Sequence, residues 1–104
     1  MNPDERDALV RRIRLLADAD PNCTVLTRAA QCDADNLGRD FDDVCDCLGA
    51  LKVSDLEEVR EDAYVPGAPL AIFSTHFEGD HLYVKVRVSD GLTVLSFKLY
   101  GSPR

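Results

Sequence analysis

The sequence predicts an α+β domain, with N-terminal helices packed on a C-terminal antiparallel β-sheet. Three observations lead there. Apolar residues recur at helical spacing in the first half, as Leu9, Ile13, Leu16 and Ala17, and again as Phe41, Val44, Cys45, Leu48 and Leu51. The later run His81–Val88 instead alternates strictly, with Leu82, Val84, Val86 and Val88 on one face and His81, Tyr83, Lys85 and Arg87 on the other. Finally, Gly79-Asp80 and Asp90-Gly91 are turn signals that divide three β-rich runs. At 104 residues and 45% hydrophobic, the chain suits one domain over residues 1–104 with a single core.

In order, Asn2 caps a first helix over 4–18, with Pro3 at its first position and Asp4 and Glu5 in its first turn. Cys23–Leu26 is a short β-like run after Asp20-Pro21-Asn22. Thr27 caps a helix over 28–37, stopped by Gly38, and Asp40 caps another over 40–51. Ser54 followed by Glu57 reads as a capping box, which predicts a short acidic helix over 54–61. A loop holding two prolines and a glycine, Tyr64–Pro69, leads into strands over 70–77, 81–88 and 92–100.

A two-residue Asp90-Gly91 turn with positive φ pairs Tyr83 with Lys98, Lys85 with Ser96, Val86 with Leu95, Val84 with Phe97 and Leu82 with Leu99. A II′ turn at Gly79-Asp80 pairs Phe77 with Leu82, His76 with Tyr83 and Ser74 with Lys85, and makes His76, Tyr83 and Lys98 a row across three strands. A three-residue loop, Glu78–Asp80, would turn His76 inward. The first register buries both Phe73 and Phe77. The open face then presents His81, Tyr83, Lys85, Arg87, Ser96, Lys98 and Tyr100.

The formal net charge is −7, unlike that of a generic nucleic-acid binder, which is basic. Residues 1–66 carry 16 acidic and 8 basic side chains, against 3 and 4 in residues 67–104, so a basic patch is expected only on the open sheet face. No apolar run reaches spanning length and the first seven residues are too charged for a signal peptide, so a cytoplasmic location and no membrane contact are expected. Cys23, Cys32, Cys45 and Cys47 form no CxxC pair, and Cys45 and Cys47 would point to opposite sides of a helix. Neither a metal site nor any cofactor is expected.

The runs Thr27-Arg28-Ala29-Ala30, Asp33–Gly38, Asp40–Cys45, Leu48–Leu51, Ser54-Asp55-Leu56, Leu82–Val86 and Val94–Lys98 occur in one order. In that order they resemble the MqsR family of toxins. The resemblance implies a RelE-like fold, an mRNA interferase activity, and neutralisation by an MqsA-like antitoxin protein. It also implies a site built on Tyr83 and Lys98. The sequence departs from the family in several places. Glu58 stands where a lysine usually serves the site, and the run Phe73–Phe77 replaces a usual strand and puts Ser74 near its glutamine. The arginine and proline that usually follow are missing, and the loop is shorter.

Chemically, RNA cleavage without metal needs a base for the 2′-hydroxyl, an acid for the leaving oxygen, and positive charge at the phosphate. Lys98 is the candidate for the phosphate and Tyr83 for proton relay or base stacking. Histidine ordinarily ionises near neutrality, which makes His76 the candidate base. Lys85, Arg87, Ser74 and Ser96 are candidate RNA contacts. The alternative is a non-catalytic acidic binding protein on the same scaffold, a phage-type inhibitor such as an anti-CRISPR. Its candidate surface is Asp42, Asp43, Asp46, Glu57, Glu58, Glu61 and Asp62, expected on helical stretches and docking on a basic nucleic-acid-binding protein. Single-stranded RNA is the partner in the first reading.

Overall fold

Capping chemistry places the helices close to their expected positions. The computed structural model describes residues 1–101. Helix α1 (Pro3–Ala19) starts where Asn2 Oδ1 accepts from Glu5 N at 2.8 Å and Glu5 reaches back to the Asn2 amide. Thr27 Oγ1 accepts from Ala30 N at 3.2 Å to open α2 (Arg28–Asn36), and Gly38, at φ 70°, follows its end. Asp40 and Asp43 cap each other's amides to open α3 (Phe41–Gly49).

Between α1 and α2 lies β1 (Thr24–Leu26), and after α3 come β2 (Leu56–Glu61), β3 (Pro69–Phe77), β4 (Asp80–Val88) and β5 (Leu92–Leu99). The described residues thus form three α-helices and one five-stranded sheet, in the order β1-β5-β4-β3-β2. The class is α+β. The sheet is mixed, however, not purely antiparallel, because β1 runs parallel to β5 and pairs Thr24 with Leu92 and Leu26 with Val94. Gly91 is where the β4–β5 loop meets the chain entering β1. A Cβ there would stand 2.5 Å from the Cys23 carbonyl oxygen.

The helix expected over 54–61 is a strand. Val53–Asp55 is one 3₁₀ turn, tied by Lys52 N donating to Asp55 Oδ2 at 3.1 Å, and β2 then pairs antiparallel with β3. Leu56 and Val59 lie three residues apart, which mimics a helical stripe. A register shift between Leu56 and Glu58 lets both face the core from a strand. Pairing wins because it satisfies the β3 edge, and no local helix preference can do that.

The β3–β4 register shifts throughout, and the β4–β5 register only near its turn. The β3–β4 turn is Glu78-Gly79, with both residues at positive φ (47° and 89°), so His76 faces His81 and Ser74 faces Tyr83. The shift is two residues from the expected pairing, which leaves His76 and Ser74 on the open face. Arg39 holds this turn, donating to Glu78 Oε1 at 2.5 Å and Asp80 Oδ2 at 3.1 Å with its guanidinium 5.2 Å over the Phe77 ring. The β4–β5 loop has three residues, Ser89–Gly91, and neither Asp90 nor Gly91 takes positive φ. Tyr83–Lys98, Lys85–Ser96, Val84–Phe97 and Leu82–Leu99 pair as expected, but a bulge then gives Val86–Val94 in place of Val86–Leu95. Val94 takes the core position, Leu95 is half-buried, and Leu99 is exposed.

The core lies between the helices and one face of the sheet. Ile13, Val44 and Leu48 meet Phe73, Leu82, Val84, Val86, Val94 and Phe97 there, all fully buried. Arginines of α1 fasten the connections: Arg6 donates to the Leu56 carbonyl at 2.7 Å and Arg12 to that of Ser89 at 2.7 Å. The opposite face of β3, β4 and β5 carries polar and aromatic groups together with the buried Leu70 and Ile72 of β3.

Candidate functional site

Strand alternation arranges that face as rows of side chains across the sheet. Glu58, Ile72, Lys85 and Ser96 make one row, and Ser74, Tyr83 and Lys98 the next. His76 and His81 follow, extended by Tyr100, whose amide donates to the His81 carbonyl at 2.8 Å. Tyr83 and Lys98 are therefore adjacent, with Lys98 Nζ 5.4 Å from the centre of the Tyr83 ring. The expected row of His76, Tyr83 and Lys98 is corrected, since Ser74 takes the middle row and His76 moves one row along. The cause is the Glu78-Gly79 turn.

Three residues outside the expected catalytic and RNA-contact set complete the cluster, Glu57 among them having been expected only on an acidic partner surface. The His81 ring lies between His76 (centroids 4.3 Å apart, planes 13° apart) and Tyr100 (4.5 Å, 3°). Ser74 Oγ and His81 Nε2 share a hydrogen bond of 2.5 Å. Tyr100 Oη donates to Glu57 Oε1 at 2.9 Å, so a residue just after β5 is joined to the edge strand β2. That bond, with the Glu57 charge, raises the Tyr100 phenol above its ordinary pKa and keeps it a donor. Alternation in the sequence already put His81 and Tyr100 on this face. Glu57 was hidden by its reading as a helical residue.

Two expected RNA contacts are otherwise engaged. Arg87 Nε donates to Asp62 Oδ2 at 2.8 Å, and Ser96 is buried at 7% exposure. Asp62 is 3% exposed and also accepts from the Tyr64 and Val65 amides, at 2.6 and 3.0 Å. The Arg87 hydrogen bond, helped by those amides and opposed by burial, holds its carboxyl below the usual carboxylate range. Lys85 is half-buried, between Ile72 and Ser96.

The Asp62–Arg87 pair carries a pH prediction. A lowered folded pKa contributes stability that is present above the unfolded value, about 3.9, and lost as pH falls through the folded one. Arg87→Met should lower the melting temperature at neutral pH, and its gap to wild type should narrow on acidification below about pH 4. Thermal melts across that range check it, and a gap independent of pH would show that the pair adds no ionic stability.

The acidic residues do not share a helical surface. Asp42, Asp43 and Asp46 lie on α3, where Asp43 serves the cap, while Glu57, Glu58 and Glu61 lie on strand β2 and Asp62 is buried. Charges along an edge strand also block edge-to-edge pairing. Burial pushes the Cys47 thiol up to about 12 and, together with Asp42, raises Cys45, so neither is an activated nucleophile. Among the described residues no helix is long and apolar enough to cross a membrane, and no three His, Cys, Asp or Glu side chains group to hold a metal ion. No protein-family model matches the chain, and no curated protein matches it significantly.

Proposed function

We propose that this protein is a metal-independent endoribonuclease toxin, cutting single-stranded mRNA on the open face of its sheet in the cytoplasm. An MqsA-like antitoxin that covers this face would neutralise it. The observation that carries the reading is the row Ser74–Tyr83–Lys98 with His81 bonded to Ser74 beside it. The face thus combines a cation, a phenol and an imidazole, the groups that phosphodiester transesterification needs. In this reading His81, held by Ser74, replaces His76 as the base. It takes the 2′-hydroxyl proton as the 2′-oxygen bonds to phosphorus. The bond from phosphorus to the 5′-oxygen breaks, Tyr83 supplies the proton to that oxygen, and Lys98 offsets charge on the phosphate. Glu58 stands where the MqsR family has a lysine, so Lys98 carries the charge role without that second cation. Lys85 guides the flanking backbone. The acidic-inhibitor reading is less well supported, because its residues divide between α3 and β2.

The test is incubation of the purified protein with mixed-sequence single-stranded RNA in excess chelator, from mildly acidic to mildly alkaline pH. Fragments ending in 2′,3′-cyclic phosphate are expected. Uncut RNA throughout, with folded protein, would overturn the proposal and leave a binding role for the scaffold.

A further inference from the structure

We infer that the column His76–His81–Tyr100 is a nucleobase subsite, in which an unpaired base of single-stranded RNA stacks on the outer face of His76. The inference rests on the proposed RNA-directed role of this face and names what the column would hold. Three rings lie almost parallel, with centroids 4.3 and 4.5 Å apart, which is the arrangement bases adopt on protein rings. They are exposed, Tyr100 at 45%, so burial in a core does not account for their alignment.

One end of the column is anchored. Tyr100 is held by Glu57, and His81 by Ser74, so the rings are ordered before any ligand arrives and less ordering cost falls on binding. At the other end, among the described residues, no ring other than His81 stacks on His76. The column also adjoins the phosphate-directed row. The Tyr100 and Tyr83 ring centroids lie 6.5 Å apart, and Lys98 Nζ lies 5.4 Å from the Tyr83 ring centre. On β3, His76 lies two residues from Ser74, which faces Tyr83 in the Lys98 row. A strand whose phosphate meets Lys98 therefore has the His76 face one row away for a neighbouring base. Stacking tolerates every base, so a weak sequence preference is expected.

The experiment measures binding apart from cleavage. A 2′-O-methyl oligonucleotide lacks the attacking hydroxyl and stays whole, and its partner probe is the same backbone with abasic residues. Fluorescence anisotropy should show the base-bearing strand binding about tenfold more tightly or better. His76→Ala should remove most of that difference, and His76→Phe should retain it. Lys98→Ala should weaken both strands alike, since both carry the phosphates. Equal affinity of wild type for the two strands, or a preference unchanged in His76→Ala, overturns the subsite. Uncleaved RNA in the activity assay alongside a persistent base preference would overturn only the catalytic reading.

Discussion

Lys98→Ala should slow RNA cleavage by about 10²–10³-fold, the usual cost of losing one group that stabilises charge in the transition state. Lys98 sits on β5 opposite Tyr83, with its amine over the phenol ring, while the next residue inward, Phe97, points to the core. Removing the amine therefore changes the face and leaves the core packing in place. Single-turnover cleavage with saturating protein measures the chemical step, and a thermal melt checks the fold. Lys98→Arg should recover part of the rate, because it keeps the charge with different geometry. A loss below about threefold, far from the range for such a group, would remove Lys98 from the reaction. A large loss with an unchanged melt would support its assignment.

Phe97→Ala should destabilise the domain by about 3–5 kcal/mol. Phe97 is fully buried, pairs with Val84, and donates its amide to Asp33 at 3.1 Å, joining β5 to α2. The total stability of such a domain is about 5–15 kcal/mol, so this one truncation removes a large share. Urea titration should show a lower midpoint with the slope unchanged. At about 4–8 °C per kcal/mol, the melting temperature should drop by tens of degrees. Any cleavage activity should persist at low temperature and vanish early on warming. A shift under about 1 kcal/mol would mean that the site collapses around the smaller side chain and fills the space.

The separation of these two effects on adjacent residues was legible in the sequence. A strand has period two, so Phe97 and Lys98 must point to opposite faces, and the alternation of His81–Val88 assigns the partner strand in the same way. The Tyr83–Lys98 pair followed from counting back from the β4–β5 turn. It survived although the turn has three residues, because the bulge near Lys85 and Val86 compensates for the extra one. The helix starts at Asn2, Thr27 and Asp40 were legible for a similar reason: a cap is a contact between residues three apart.

What remained hidden depended on partners distant in the chain. Leu56 and Val59 have helical spacing, and only the unpaired edge of β3 makes 56–61 a strand with a bulge. Glu78 takes positive φ in a turn clasped by Arg39, which lies between α2 and α3, and that turn moves Ser74 opposite Tyr83 and His76 opposite His81. Likewise Arg87 is turned from an RNA contact into the partner of buried Asp62, and Glu57 is brought to Tyr100 across the sheet. The sequence by itself determined the α+β class, the helix starts at Asn2, Thr27 and Asp40, the two faces of the sheet and the Tyr83–Lys98 pair, because these depend on local periodicity, capping and chain order. The tertiary structure decided the parallel edge strand, the identity of β2, the turn registers and the ring column. Those features are set where strand edges and buried charges find distant partners, and a local pattern carries no information about which partner that is.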